Sequence, residues 1–173
     1  MKYTRLIFLA LAILLIGSTV FAQQKEVPAD STTLIFVRHA EKQTKTKDPR
    51  LSAKGVERAN RLTKLLNAAF DIHAVYSTPY NRTRMTAKPI ASINKLQVKE
   101  YNMDTPLELM KQLVNNHKGE AILVVGHSNT TPLLVNTLLG KERFKQIGEK
   151  EYGNIYIVTS LGIGKSKARH ITY

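Results

Sequence analysis

The sequence predicts an α/β fold with a mostly parallel sheet and helices on both of its faces. Strand-like and helix-like segments alternate from Thr33 to Leu139, the order of chained βαβ units. Two short runs, Thr33-Leu34-Ile35-Phe36-Val37 and Ala121-Ile122-Leu123-Val124-Val125, are continuously apolar, which marks strands covered on both faces. The polar residues best suited to chemistry, Arg38-His39 and Gly126-His127-Ser128-Asn129, follow those runs directly. Open α/β sheets bind their ligands beyond the carboxyl ends of such strands.

Taken in order, the chain begins with a targeting pattern. Lys2 and Arg5 lead into an unbroken apolar stretch from Leu6 to Ile16, and Val20-Phe21-Ala22 offers small residues for a cut. That layout is a secretory signal peptide over residues 1–22. Its apolar centre is shorter than the ~20 residues a membrane span needs, and an uncleaved anchor is the competing reading. Residues 23–32, with Pro28 and Asp30, read as a linker, and 33–173 as one domain. The location expected is periplasmic or secreted, with membrane attachment only through an uncleaved anchor.

Within the domain, Lys42 to Arg50 is a charged loop containing Asp48-Pro49. Ser52 is placed to cap a helix. Val56, Ala59, Leu62, Leu65, Leu66 and Ala69 then recur at helical spacing. Ala74 to Ser77 and Leu96 to Tyr101 read as strands, with a helix from Tyr80 to Lys95 between them that Pro89 should kink or break. Pro106 opens a helix running to His117, whose Leu107, Met110, Leu113 and Val114 share a face. Thr130 to Leu139 is a helix closed by Gly140. Asn154 to Thr159 and Ala168 to Tyr173 read as final strands.

Composition limits the chemistry. The 173 residues contain no Cys, which excludes disulfides, thiolate catalysis, Cys-ligated zinc, iron–sulfur clusters and a lipid-modified Cys. Lys plus Arg number 26 against 13 for Asp plus Glu, a net charge of +13. Loss of residues 1–22 would remove Lys2 and Arg5 and leave 13 − 2 = +11. Such an excess points to anionic partners. Aromatic residues are only 7%, and no aromatic-rich basic strand set of the single-strand-binding kind is present, so no nucleic acid is expected.

Phosphoryl transfer without a metal needs a nucleophile that can carry phosphate and fixed cations around its oxygens. A neutral imidazole attacks near pH 7, and guanidinium groups grip phosphate with two prongs. Arg38 and His39 at one strand end, with His127 at the end of another, supply those types if the strands are neighbours. The helix starts near Ser52 and Thr130 could add backbone donors.

These residues fall into four blocks. Arg38-His39-Ala40-Glu41 resembles the Arg-His signature of the histidine phosphatase superfamily, the phosphoglycerate-mutase-like fold. Leu51-Ser52-x-x-Gly55-x-x-Arg58-Ala59 is similar to its first helix start. The stretch from Tyr76 to Ala87, with Ser77, Pro79, Arg82 and Thr86, resembles its second block. Val124-Val125-Gly126-His127 resembles its last strand end. The resemblance implies a three-layer α/β/α sandwich and no metal or organic cofactor. It implies His39 as nucleophile and phosphohistidine, Arg38 and Arg82 on the phosphoryl oxygens, and His127 as the second histidine. Ser128 and Asn129 would line the phosphate pocket.

The chain departs from two branches of that family. It lacks the Gly-rich acidic insertion that carries a Glu proton donor, and Ser128 stands where the acid-phosphatase branch has Asp. Glu100 and Asp104 are the acids available after the second block, and Glu100 is the candidate proton donor. Glu41 is expected in a salt bridge, Arg84 in solvent, and His73, His117 and His170 outside the chemistry.

The leading expectation is therefore an exported, metal-independent phosphatase acting on a phosphorylated small molecule or phosphoprotein. The competing readings are a phosphohistidine protein phosphatase, a phosphoglycerate-type mutase, and a non-catalytic anion-binding protein.

Overall fold

The computed structural model describes residues 28–44 and 46–173. The expected signal peptide and residues 23–27 of the expected linker lie outside them. The strands are β1 (Thr32–Arg38), β2 (Ile72–Ser77), β3 (Val98–Glu100), β4 (Ala121–Gly126), β5 (Asn154–Ser160) and β6 (Ser166–Thr172). The helices are α1 (Ala53–Ala69), α2 (Asn81–Ile93), α3 (Pro106–Asn116) and α4 (Thr130–Leu139). All strands form one sheet in the order β3-β2-β4-β1-β5-β6. The first four of that order run parallel; β5 is antiparallel to β1, and β6 is antiparallel to β5.

The apolar runs fix the layers. Alternate residues of β1 point to opposite faces, as the pleat requires. Leu34 and Phe36 pack with Met110, Leu113 and Val114 of α3 and Leu134, Val135 and Leu138 of α4. Ile35 and Val37 pack with Leu62 and Leu66 of α1 and Ala87, Ile90 and Ala91 of α2. Each helix pair thus covers one face, and the sandwich has three layers.

Local signals hold where they satisfy backbone groups. The Ser52 hydroxyl accepts from the Gly55 N–H at 3.2 Å. Gly140 takes φ of 64°, a left-handed turn that costs glycine little. Other expectations shift. Thr32 belongs to β1 rather than to the linker, because its buried hydroxyl donates to the carbonyls of Val114 and His117. Helix α2 runs unbroken through Pro89. Val56, Leu65 and Leu107 are substantially exposed, since they sit at the margins of their helical stripes.

Candidate active site

Strand register builds the site. In the parallel β1–β4 pair Arg38 lies opposite Gly126. The residues that follow, His39 and His127, therefore leave the sheet side by side. The His39 N–H continues the ladder by donating to the Gly126 carbonyl at 2.9 Å. The two imidazoles meet edge to face, with ring centroids 5.5 Å apart. Arg82 comes from the first turn of α2, and its Nη2 lies 3.4 Å from His127 Nδ1. The structure thus brings Arg38, His39, Arg82 and His127 to one end of the sheet.

His39 is 3% exposed. Its Nδ1 lies 2.8 Å from the Ala40 carbonyl. A carbonyl only accepts, so Nδ1 carries the proton and Nε2 keeps its lone pair. Burial drives the His39 pKa from 6.5 down to about 3, and the charges of Arg38, His127 and Arg82 act in the same sense; only the Ala40 hydrogen bond opposes them.

His127 holds the other tautomer. Arg82 can only donate, so Nδ1 accepts and the proton sits on Nε2. That proton points at Thr78 Oγ1, 3.0 Å away. Thr78 Oγ1 in turn donates to Thr83 Oγ1, which reaches the carbonyls of Thr78 and Tyr80. Burial first, and then Arg82 and Arg38, lower the His127 pKa to about 4. Both imidazoles are neutral at pH 7.

The guanidiniums are anchored at one prong and free at another. Arg38 Nη1 donates to the carbonyls of Gly148, Glu149 and Glu151 at 2.8, 3.1 and 3.1 Å, and Arg38 lies over the Tyr152 ring. Arg82 Nη1 faces Asp48 Oδ1 at 3.5 Å, and Arg82 lies over the Tyr80 ring. The Nε atoms of both arginines are buried without a hydrogen-bond partner. An unpaired buried donor costs about 1–3 kcal/mol. Two of them beside two neutral imidazoles make a cationic cup chemically suited to a tetrahedral anion.

Other expected residues lie elsewhere. Glu100 is half-exposed and paired with Arg84 at the edge strand β3. No contact joins it to either imidazole, so its expected role as proton donor finds no support in the geometry, and Arg84 is paired rather than simply solvated. Asn129 is exposed at the start of α4, and no side-chain contact draws Ser128 or Asn129 into the cup. The Ser128 carbonyl instead accepts from the Ile147 N–H. Glu41 is held by Arg58 through two 2.8 Å hydrogen bonds. His117 is buried between Glu120 and the Tyr76 hydroxyl.

Sequence reasoning missed Asp48, Thr78, Tyr80, Tyr152 and the carbonyls of the 148–151 loop. A signal for Asp48 existed. Helix α2 has no capping side chain of its own, which calls for an acceptor from another segment.

Comparison with known proteins agrees with this fold. The family model described as histidine phosphatase superfamily (branch 1) matches residues 34–102, a span containing Arg38, His39 and Arg82. No curated protein matches the chain. Among solved structures, the protein histidine phosphatase SixA complexed with tungstate is similar at 15% identity, with a TM-score of 0.65, over 81% of this chain and 96% of that one. Phosphoserine phosphatase from Entamoeba histolytica in complex with 3-phosphoglyceric acid is similar at 20% identity and a TM-score of 0.57, over 73% and 90%. Mycobacterial glucosyl-3-phosphoglycerate phosphatase is similar at 14% identity and a TM-score of 0.64, over 83% and 98%.

Proposed function

We propose that the chain is a phosphatase of the histidine phosphatase superfamily, whose family model matches residues 34–102, and that it hydrolyses a phosphate monoester through a phosphohistidine on His39. One observation carries the proposal: the Nδ1 proton of His39 is fixed on the Ala40 carbonyl, in a cup where two buried guanidinium Nε atoms have no partner.

The reaction has two displacements. The Nε2 lone pair of His39 attacks phosphorus, the N–P bond forms, and the P–O bond to the leaving group breaks. The departing oxygen takes a proton from solvent. Water then attacks phosphorus from the vacated side, the P–N bond breaks, and inorganic phosphate leaves while the His39 lone pair is restored. Arg38 and Arg82 grip the phosphoryl oxygens through their free edges, where charge spreads in the transition state. His127, once it takes a proton in the presence of the dianion, donates from Nδ1 to a phosphoryl oxygen.

Glu100 is engaged by Arg84 at the sheet edge, so the site suits leaving groups that depart without a strong acid, such as aryl esters or nitrogen-linked phosphate. That observation favours hydrolysis over a mutase cycle. The third reading, a non-catalytic anion binder, predicts salt-sensitive binding without turnover. We place the activity outside the cytoplasm, on the strength of residues 1–22.

The test is turnover of p-nitrophenyl phosphate by the wild-type protein and by His39→Ala. The variant should lose several orders of magnitude in kcat. A phosphoryl label on the wild-type protein should survive alkali and be lost in acid, as a P–N bond requires. Undiminished turnover by His39→Ala would refute the mechanism. N-terminal sequencing of the exported protein should read from Gln23.

A further inference from the structure

Asp48 lies in the loop between β1 and α1, and it is the acid that faces Arg82. Its two carboxylate oxygens accept the Asn81 N–H at 3.1 and 3.2 Å. Its Oδ2 also accepts from Asn81 Nδ2 at 3.0 Å, and its backbone carbonyl accepts a second Nδ2 contact at 3.3 Å. Asp48 thereby supplies the cap that α2 lacks. From that seat Oδ1 stands 3.5 Å from Arg82 Nη1.

We infer that Asp48 is the positioning residue of the phosphate cup, setting the plane of the Arg82 guanidinium so that its Nε and Nη2 edge meets the phosphoryl group in flight. This rests on the phosphatase reading of the site. Three contacts define that plane: Asp48 at Nη1, His127 Nδ1 at 3.4 Å from Nη2, and the Tyr80 ring at 4.7 Å. The His127 contact is surrendered when an anion enters. The Tyr80 face permits the guanidinium to rotate in its own plane. Among the described residues Asp48 alone resists that rotation, and its hydrogen bonds to Asn81 make it a rigid stop.

Two effects of Asp48 then oppose each other. Its negative charge repels a ground-state phosphate dianion. Its grip orients Arg82 toward the equatorial oxygens of a trigonal-bipyramidal group, where alignment matters most. Removing the charge should therefore harm transition-state recognition while leaving ground-state binding nearly unchanged.

The experiment measures binding of inorganic phosphate and of orthovanadate by calorimetry to full-length wild type, Asp48→Asn, Arg82→Ala and the double variant. Asparagine keeps an acceptor oxygen for the Asn81 N–H and loses the ion pair. Asp48→Asn should weaken vanadate roughly tenfold and leave phosphate within about twofold. In the Arg82→Ala background it should weaken neither, and relief of the Asp48 repulsion should if anything tighten both. Equal weakening of both anions, no weakening of vanadate, or a weakening of vanadate that persists without Arg82 would overturn the inference. Asp48→Ser, another helix-capping acceptor, replaces Asp48→Asn if the latter does not fold. A wild-type protein that binds both anions but does not turn over p-nitrophenyl phosphate refutes the hydrolysis instead, and the two failures stay distinct.

Discussion

His39 and His127 carry opposite tautomers within one cup: His39 is protonated on Nδ1 against the Ala40 carbonyl, and His127 on Nε2 against Thr78. The arrangement keeps an Nε2 lone pair on one ring and turns the Nδ1 lone pair of the other toward Arg82, from which it accepts.

That pairing predicts an unusual titration. Both rings should stay neutral well below pH 6.5, with His39 titrating near 3 and His127 near 4. The sign for stability follows. The unfolded chain takes up these protons at about 6.5 and the folded chain only lower, so the unfolded state binds more protons between those values. Stability contributed by the neutral rings is full above pH 6.5 and is lost as pH falls toward 3–4. NMR of the imidazole carbons in the anion-free protein checks this. Either ring titrating at 6.5 would contradict the buried, cationic cup.

A second prediction concerns the tight seam between the first two blocks. A Cβ on Gly55 would lie 2.1 Å from the Glu41 carbonyl oxygen, and 3.0 Å from its carbon. The same oxygen accepts from the Ser52 N–H at 2.9 Å, so the Glu41 backbone is not free to retreat. Gly55→Ala gains up to about 1 kcal/mol in helix propensity. Overpacking against backbone costs roughly 1–3 kcal/mol or more. The net should be a lower midpoint in chemical denaturation, and a raised midpoint would show that α1 can shift away.

The seam also explains how much the sequence could reveal. Apolar runs such as Leu34 to Val37 announce buried strands, and strand ends announce where His39 and His127 emerge. Their adjacency needs β1 beside β4, which the four motif blocks imply and local pattern does not. The anchors of Arg38 escape any reading of side chains because they are main-chain carbonyls of Gly148, Glu149 and Glu151. Any residue type could supply them. Asp48 escaped for another reason: Asp48-Pro49 is an ordinary turn signal, and its task is set by where that loop lands on α2. Glu100 misled because position in sequence said nothing of its partner, Arg84.

A third prediction follows from the Glu41–Arg58 pair. Both side chains are 13% exposed and joined in a two-pronged contact. Burial alone would raise the Glu41 pKa, but the Arg58 hydrogen bonds outweigh it and hold the carboxyl below 4.5. The pair therefore stabilises the fold above the unfolded value of 4.5, and its contribution fades as pH falls through the lower folded value. Arg58→Ala should cost about 1–3 kcal/mol at pH 7. The gap to wild type in urea denaturation should narrow below pH 4.5. A gap constant down to pH 3 would mean that Arg58 acts through packing on Tyr173 instead of through charge.

The fourth prediction separates the two arginines of the proposed phosphate cup. Arg38 has two duties in that proposal: Nη1 ties down three carbonyls of the 148–151 loop, while the buried, unpartnered Nε would meet the anion. Lysine offers one compact charge and cannot serve both directions. In Arg38→Lys the ammonium either satisfies the carbonyls and abandons the anion, or turns to the anion and leaves the Glu149 and Glu151 carbonyls short of a donor, Gly148 keeping the Glu151 N–H. Arg82 has a lighter second duty, a single ion pair at 3.5 Å with a part-exposed Asp48. Its lysine variant retains charge in the cup at lower cost. Both substitutions should reduce kcat/KM for p-nitrophenyl phosphate, Arg38→Lys by about 10²–10³ and Arg82→Lys by less. Arg38→Lys should also make the 148–151 loop more readily cut by protease, since its anchor is gone. Arg38→Lys activity within about threefold of wild type would mean that the carbonyl anchor is dispensable and that a point charge suffices in the cup.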